Sequence, residues 1–204
     1  ITTRTYNLDG SLNTEGYSNA AVATPGVGFI YDGAYLRVVS MTDGTGTTGY
    51  TYHPVGSLGA LRVASEDSAL SGTTDKISYS YDALGRLVGR NIGSGTSDNL
   101  ITWQYDALGR TTQKASLLGT LIYGYDGNSG RLVSSAFPGS GLASLYEYFG
   151  SSGLRRLKKI AYAPANALTS VISSHEYTYQ PGGNIATWKR NNGLTDTITT
   201  YGYD

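Results

Sequence analysis

The chain has 204 residues and no net charge, 15 Lys and Arg balancing 15 Asp and Glu, which argues against nucleic-acid binding through a basic surface. It has no cysteine, so a disulfide-stapled fold and a Cys-ligated zinc site are both excluded. Glycine, at 28 residues, is about twice its usual share, and 18 tyrosines against one methionine favour strands and turns over helices.

In chain order, the first unit centres on Tyr6, with Arg4 two positions before it, Asn7-Leu8-Asp9-Gly10 after it and Leu12 as the next apolar position. Phe29 and Tyr31, followed by Asp32, form the second unit. After the Gly/Thr run Gly44 to Gly49, read as a loop, come Tyr50 and Tyr52, His53-Pro54-Val55-Gly56 and Leu58. Tyr79 and Tyr81 precede Asp82-Ala83-Leu84-Gly85-Arg86-Leu87, and Trp103 and Tyr105 precede Asp106-Ala107-Leu108-Gly109-Arg110-Thr111. Tyr123, Tyr125 and Asp126 lead to Leu132, Tyr146 and Tyr148 to Leu154, and Tyr177 and Tyr179 through Gln180-Pro181-Gly182-Gly183 to Ile185. Tyr201, Tyr203 and Asp204 start a ninth copy.

Eight of the nine copies read aromatic-x-Tyr, a period of two that puts both rings on one face of a strand. Each anchor tyrosine is followed by Asp, Gly, Pro or Asn and then an apolar residue, which predicts a β-hairpin. The aspartate is expected to accept from backbone N–H groups two residues on, and Gly10, Gly56, Gly85, Gly109 and Gly183 to supply the left-handed residue. Asn91 to Asn99, Phe137 to Leu142 and Ala163 to Leu168 read as outer loops of variable length. The best helical stretch, Leu154 to Tyr162, also alternates as a strand, so helix content near zero is expected. The predicted fold is all-β: one array, residues 1–204, of about eight tandem antiparallel hairpins that begins and ends inside the repeat pattern, as expected of part of a longer or truncated polypeptide or of a chain whose next hairpin comes from a neighbouring molecule. A β-propeller is the alternative, since two hairpins of about 23 residues make a four-stranded blade of about 46.

The units Tyr81-Asp82-Ala83-Leu84-Gly85-Arg86-Leu87 and Tyr105-Asp106-Ala107-Leu108-Gly109-Arg110, with a looser copy at Tyr125-Asp126, resemble the YD repeats of rearrangement-hotspot (Rhs) proteins, of insecticidal toxin-complex subunits and of teneurins. The resemblance covers the whole chain. It implies hairpins laid side by side in a curved or spiralling sheet, part of a hollow shell around a cargo that is often a toxin polypeptide. The family's self-cleaving aspartate motif and variable cargo have no counterpart here.

The remaining motifs carry little chemistry. Asp32, Asp82, Asp106, Asp126 and Asp204 fit turn capping better than a pair of catalytic carboxylates converging across a cleft. His53 and His175 are far apart and lack a carboxylate motif, so neither a zinc site nor a Ser-His-Asp triad is expected. Gly44 to Gly49 matches G-x-G-x-x-G, but a strand follows it rather than a helix. Arg86, Arg110 and Arg131 hold corresponding positions and are expected to pair with neighbouring aspartates or to cover aromatic faces. Trp103 and Trp188 are candidate glycan-stacking platforms, Trp188 at an odd offset that would turn it to the other side of the sheet.

The expectation is a non-enzymatic scaffold with no cofactor and no metal. Its partners would be further YD repeats of the same or a neighbouring chain, an enclosed polypeptide cargo or surface glycans, with no nucleic acid and no membrane insertion. No apolar run is long enough to span a membrane and ITTRTYNLDG is not a signal peptide. An extracellular or cell-surface setting fits the lack of cysteine. The alternative functions are a carbohydrate-binding adhesion module and a strand-paired filament or homo-oligomer.

Overall fold

The computed structural model describes residues 1–70, 72, 74–93, 95 and 99–204. Seventeen strands run in chain order: β1 (Thr2–Tyr6), β2 (Leu12–Tyr17), β3 (Val27–Tyr31), β4 (Val38–Asp43), β5 (Gly46–Tyr52), β6 (Val63–Asp67), β7 (Ile77–Tyr81), β8 (Leu87–Ile92), β9 (Ile101–Tyr105), β10 (Thr111–Ser116), β11 (Gly119–Tyr125), β12 (Leu132–Phe137), β13 (Leu142–Tyr148), β14 (Leu157–Pro164), β15 (Ser173–Tyr179), β16 (Ile185–Asn191) and β17 (Asp196–Thr200). The only helical segments among the described residues are two three-residue 3₁₀ turns, Pro138–Ser140 and Ser151–Gly153.

The chain divides into two compact units, Ile1–Thr102 and Trp103–Asp204. In the first, each strand from β1 to β8 pairs antiparallel with the next, and β8 pairs with the start of β9. In the second, β10 to β17 do the same without a break. A propeller would interrupt the ladder after every fourth strand; neither unit does, which sets the propeller alternative aside.

Every anchor tyrosine from Tyr6 to Tyr179 is the last residue of an odd-numbered strand, while Tyr201 and Tyr203 lie just beyond β17. The register shifts by one residue at Tyr6, Tyr31, Tyr52, Tyr81, Tyr125, Tyr148 and Tyr179, a bulge that ends the ladder and turns the chain. Across the bulge the tyrosines face Leu12, Val38, Val63, Leu87, Leu132, Leu157 and Ile185 in that order. Leu58 and Leu154 are therefore not the strand-starting residues expected from sequence. Both lie in turns longer than the common one and are 59% and 70% exposed.

Three expected loops are also shorter. Gly46 to Gly49 belong to β5, leaving Gly44 and Thr45 as the turn, Phe137 and Leu142 end and begin strands, and Ala163 and Pro164 complete β14. Of the loop at Asn91 to Asn99, Asn91 and Ile92 lie in β8, and residues 94 and 96–98 fall outside the described residues.

The two faces of each ladder differ in chemistry. Pairs such as Tyr50 with Glu66, Tyr79 with Arg90, Tyr146 with Ile160 and Tyr177 with Trp188 share the face of the anchor tyrosines. The opposite face carries many small residues, among them the hydroxyl pairs Thr5 with Thr14 (2.6 Å), Thr42 with Thr47 (2.8 Å), Thr51 with Ser65 (2.7 Å) and Thr178 with Thr187 (2.6 Å), beside a charged row of Glu147, Lys159, Glu176 and Lys189. The buried apolar residues, Ala143, Ala161 and Ala163, also lie there, and no large side chain is fully buried among the described residues. Strands such as β10 and β12 are half-buried at every position instead of alternating, as expected where no second layer of the same unit covers either face.

Candidate functional site

The repeated signature converges on the edge where the hairpins turn. The residue after each anchor tyrosine donates its backbone N–H across the turn: Asp82 to Arg86 O (2.9 Å), Asp106 to Arg110 O (3.0 Å) and Asp126 to Arg131 O (2.9 Å). Asp82 Oδ1 accepts from the N–H of Leu84 and Arg86, and Asp106 Oδ1 from Leu108 and Arg110, all at 2.9 Å. Asp32 Oδ1 likewise accepts from Ala34 and Tyr35 at 2.8 Å. The turn glycines Gly10, Gly56, Gly85, Gly109 and Gly183 all have φ between +74° and +97°, a region that a Cβ disfavours.

The second carboxylate oxygen of each aspartate holds an arginine from its own turn: Arg37 on Asp32 and Arg131 on Asp126 at 2.5 Å, Arg86 on Asp82 and Arg110 on Asp106 at 2.6 Å. The guanidinium groups of Arg37, Arg110 and Arg131 then reach the next hairpin, as do those of Arg62 and Arg156, whose turns carry His53 and Phe149 in place of the aspartate. Arg37 lies 4.1 Å from the ring centre of Tyr52, Arg62 5.6 Å from Tyr81, Arg110 4.6 Å from Tyr125, Arg131 5.4 Å from Tyr148 and Arg156 5.3 Å from Tyr179. The anchor rings are thus interleaved with guanidinium groups, and at Arg110 and Arg131 the two roles expected from sequence, pairing with the turn aspartate and covering a ring, occur together.

The anchor hydroxyls point the same way, back to the preceding hairpin. Tyr31 donates to Leu12 O (2.9 Å), Tyr52 to Val38 O (2.6 Å), Tyr81 to Val63 O (3.1 Å), Tyr125 to Thr111 O (2.7 Å) and Tyr179 to Leu157 O (2.8 Å). In each case the acceptor is the first residue of the preceding even-numbered strand. A cation over a ring and a hydroxyl hydrogen bond contribute about 0.5–1 and 0.5–1.5 kcal/mol. Sequence reasoning aligned Arg86, Arg110 and Arg131 but missed Arg37, Arg62 and Arg156 in the same role. All six immediately precede the first residue of an even-numbered strand, so counting back from the second strand finds them where counting forward from the tyrosine fails.

These turns make the fold acid-sensitive. The carboxyl of Asp32 is held below its ordinary pKa by the Arg37 guanidinium and then by the N–H groups of Tyr35 and Ala34. At Asp82 and Asp106 desolvation pulls upward, but the N–H and guanidinium of Arg86 and Arg110 outweigh it and the net direction is down. A depressed folded-state pKa contributes stability that is present above the unfolded-state value of about 3.9 and lost as pH falls through the folded value. The midpoint of thermal unfolding, followed by circular dichroism, is expected to drop steadily between about pH 5 and pH 2. A midpoint flat across that window would contradict the turn assignment.

The two tryptophans sit in different surroundings. Trp103 lies near the end of β9 with the Lys114 ammonium 5.8 Å from its ring centre. Trp188 lies directly opposite Tyr177 and therefore on the anchor-tyrosine face, not on the other side as its offset suggested. The bulge at Tyr179 inserts one residue into β16 and resets the alternation. The indole lies beside His175 and nearly parallel to it (5.7 Å, 23°), its Nε1–H donates to His175 Nδ1 at 3.0 Å, and the rings of Tyr162 and His175 meet edge to face at 6.1 Å. His53 is remote, in the third turn, its Nε2 3.0 Å from Tyr79 O and its ring edge-on to Tyr81.

No protein-family model matches the sequence, and no curated protein matches it. Solved structures do. The chain is similar to a component of the Photorhabdus luminescens Tc holotoxin pore, at 19% identity and a TM-score of 0.69, over 95% of this chain and 10% of that one. It is similar to the TcdB2-TccC3 crystal structure at 19% identity and a TM-score of 0.72, over 99% and 12% of the two chains. The TcdB2-TccC3-Cdc42 structure matches at 13% identity and a TM-score of 0.58, over 98% and 13%. The chain thus shares an all-β repeat fold with toxin-complex proteins and spans about a tenth of their length.

Proposed function

We propose that this chain is a non-catalytic scaffold segment, one stretch of a YD-repeat shell in a larger secreted or cell-surface protein that encloses or delivers a polypeptide cargo. The observation that carries the reading is how the signature residues are used. Aspartate closes the turn, arginine bridges from that turn to the next tyrosine, and that tyrosine's hydroxyl bonds back to the previous hairpin. The motif therefore encodes hairpin-to-hairpin propagation. The fold shared with toxin-complex structures supports the shell, as does the half-exposure of both sheet faces, since a single-layer wall has no core of its own.

The test is the mass of the native particle by light scattering, set beside intact-mass spectrometry of the denatured chain and electron microscopy. A polypeptide much longer than 204 residues forming a closed hollow particle is the expected result. A large particle made of many short chains would replace the shell with a strand-paired polymer. A small particle without an interior would overturn the shell reading.

A further inference from the structure

We propose that the cavity between the turn joining β13 to β14 and the turn joining β15 to β16 binds a small carboxylic acid with an apolar body, in its ionised form. The cavity has a volume of about 310 Å³ and is lined by Phe149, Gly153, Leu154, Arg156, Tyr179 and Pro181.

The neighbouring turns show what this one lacks. Phe149 stands where they have aspartate: it follows the anchor Tyr148 and donates its backbone N–H to Arg156 O at 2.9 Å, as Asp126 does to Arg131 O. At Asp82, Asp106 and Asp126 the carboxylate holds the arginine of the same turn. Arg156 has no such partner, because neither its own turn, Phe149 to Arg156, nor the next, Gln180 to Asn184, contains an acidic residue. The acids nearest to it in sequence are engaged elsewhere, Glu147 by Lys158 at 3.6 Å and Glu176 by Lys159 at 3.0 Å. Among the described residues its guanidinium makes one hydrogen bond, from Nη1 to Gln180 O at 3.4 Å, so most of its five N–H donors are left for a ligand.

The rest of the cavity forms an apolar wall. The rings of Phe149 and Tyr179 meet edge to face at 6.1 Å, and Gly153 packs so closely that an added Cβ would lie 2.5 Å from Phe149 Cβ. Leu154 lines the cavity while remaining 70% exposed, held at the rim by a left-handed backbone with φ of +55°, and Arg155 follows at +53°. Consecutive non-glycine residues in that region are strained, and such strain persists at ligand clamps. A guanidinium without a counter-charge matches a carboxylate through paired N–H donors, while Phe149, Leu154, Tyr179 and Pro181 match an apolar body. The volume stands at the lower end of the roughly 300–1,000 Å³ of small-molecule pockets, which suits one aromatic or branched aliphatic group. The inference does not depend on the shell reading, since two adjacent hairpins contain the whole site.

The experiment follows backbone amide shifts by NMR at neutral pH while the chain is titrated with sodium phenylacetate and, separately, with its neutral isostere phenylacetamide at matched ionic strength. The expected result is saturable shifts at Gly153, Leu154 and Gln180 with a dissociation constant of about 1 mM for the acid, weakened about tenfold or more for the amide. Phe149→Asp returns a carboxylate to the place it holds at Asp126 and is expected to weaken phenylacetate binding by a similar factor. Circular dichroism shows whether that variant keeps its fold; should it not, the two ligands on the unmodified chain decide the question alone. Shifts that never saturate or that fall elsewhere, equal affinity for acid and amide, or unchanged binding by a folded Phe149→Asp chain would overturn the proposal.

Discussion

Replacing Tyr81 by alanine is expected to cost about 3 kcal/mol and to reduce amide-exchange protection in β5 to β8 by about a hundredfold. The ring receives the edge of His53 at 5.5 Å and the Arg62 guanidinium at 5.6 Å, and its hydroxyl donates to Val63 O at 3.1 Å. Truncation removes all three contacts between the third and fourth hairpins, while Tyr81→Phe removes only the hydrogen bond and is expected to cost about 1 kcal/mol. Hydrogen exchange is the measurement of choice, because an array of hairpins unfolds as a nearest-neighbour sum and need not lose structure in one step. A loss below about 0.5 kcal/mol for Y81A would refute the view that anchor tyrosines tie hairpins together.

The second large effect is expected at Gly59, in the long turn between β5 and β6. Its φ is +71°, and a Cβ there would overlap the ring of Tyr81, lying 2.8 Å from Cγ. Gly59→Ala combines a left-handed penalty of about 1–2 kcal/mol with overpacking of about 1–3 kcal/mol. Gly10→Ala is the internal control: its φ is +84° and nothing lies within 4 Å of the added carbon, so only the backbone penalty applies. In a double-mutant cycle Gly59→Ala and Tyr81→Ala should be less than additive, because the alanine at position 81 removes the ring that a Cβ at position 59 would strike. Equal effects of Gly59→Ala and Gly10→Ala would show that the turn yields to the clash.

These two residues also mark the limit of what the sequence shows. Tyr81 is visible in it as part of a repeated signature, and so are its strand, its face and its turn aspartate. Gly59 is not visible, because nothing in His53-Pro54-Val55-Gly56 signals that the turn runs on to Arg62 before the next strand begins. The same gap explains Leu58 and Leu154, chosen as strand starts because they are the first apolar residues after the turn chemistry. The chain instead passes them, both exposed, and pairs Val63 and Leu157 with the tyrosines.

By itself the sequence determined the class of the fold, the tandem hairpins, the face on which the aromatic-x-Tyr pairs stand and the aspartates and glycines that close the common turns. These are local properties, set by period-two alternation and by the side-chain and backbone preferences of Tyr, Asp and Gly within a few residues of one another. The tertiary structure decided the partners: which strand residue each tyrosine meets, which guanidinium covers it, which carbonyl its hydroxyl reaches and on which face Trp188 lies. Such pairings depend on turn length and on a one-residue bulge, and a shift of one residue exchanges the faces of every side chain beyond it. No local pattern records that shift; it becomes fixed when neighbouring hairpins pack.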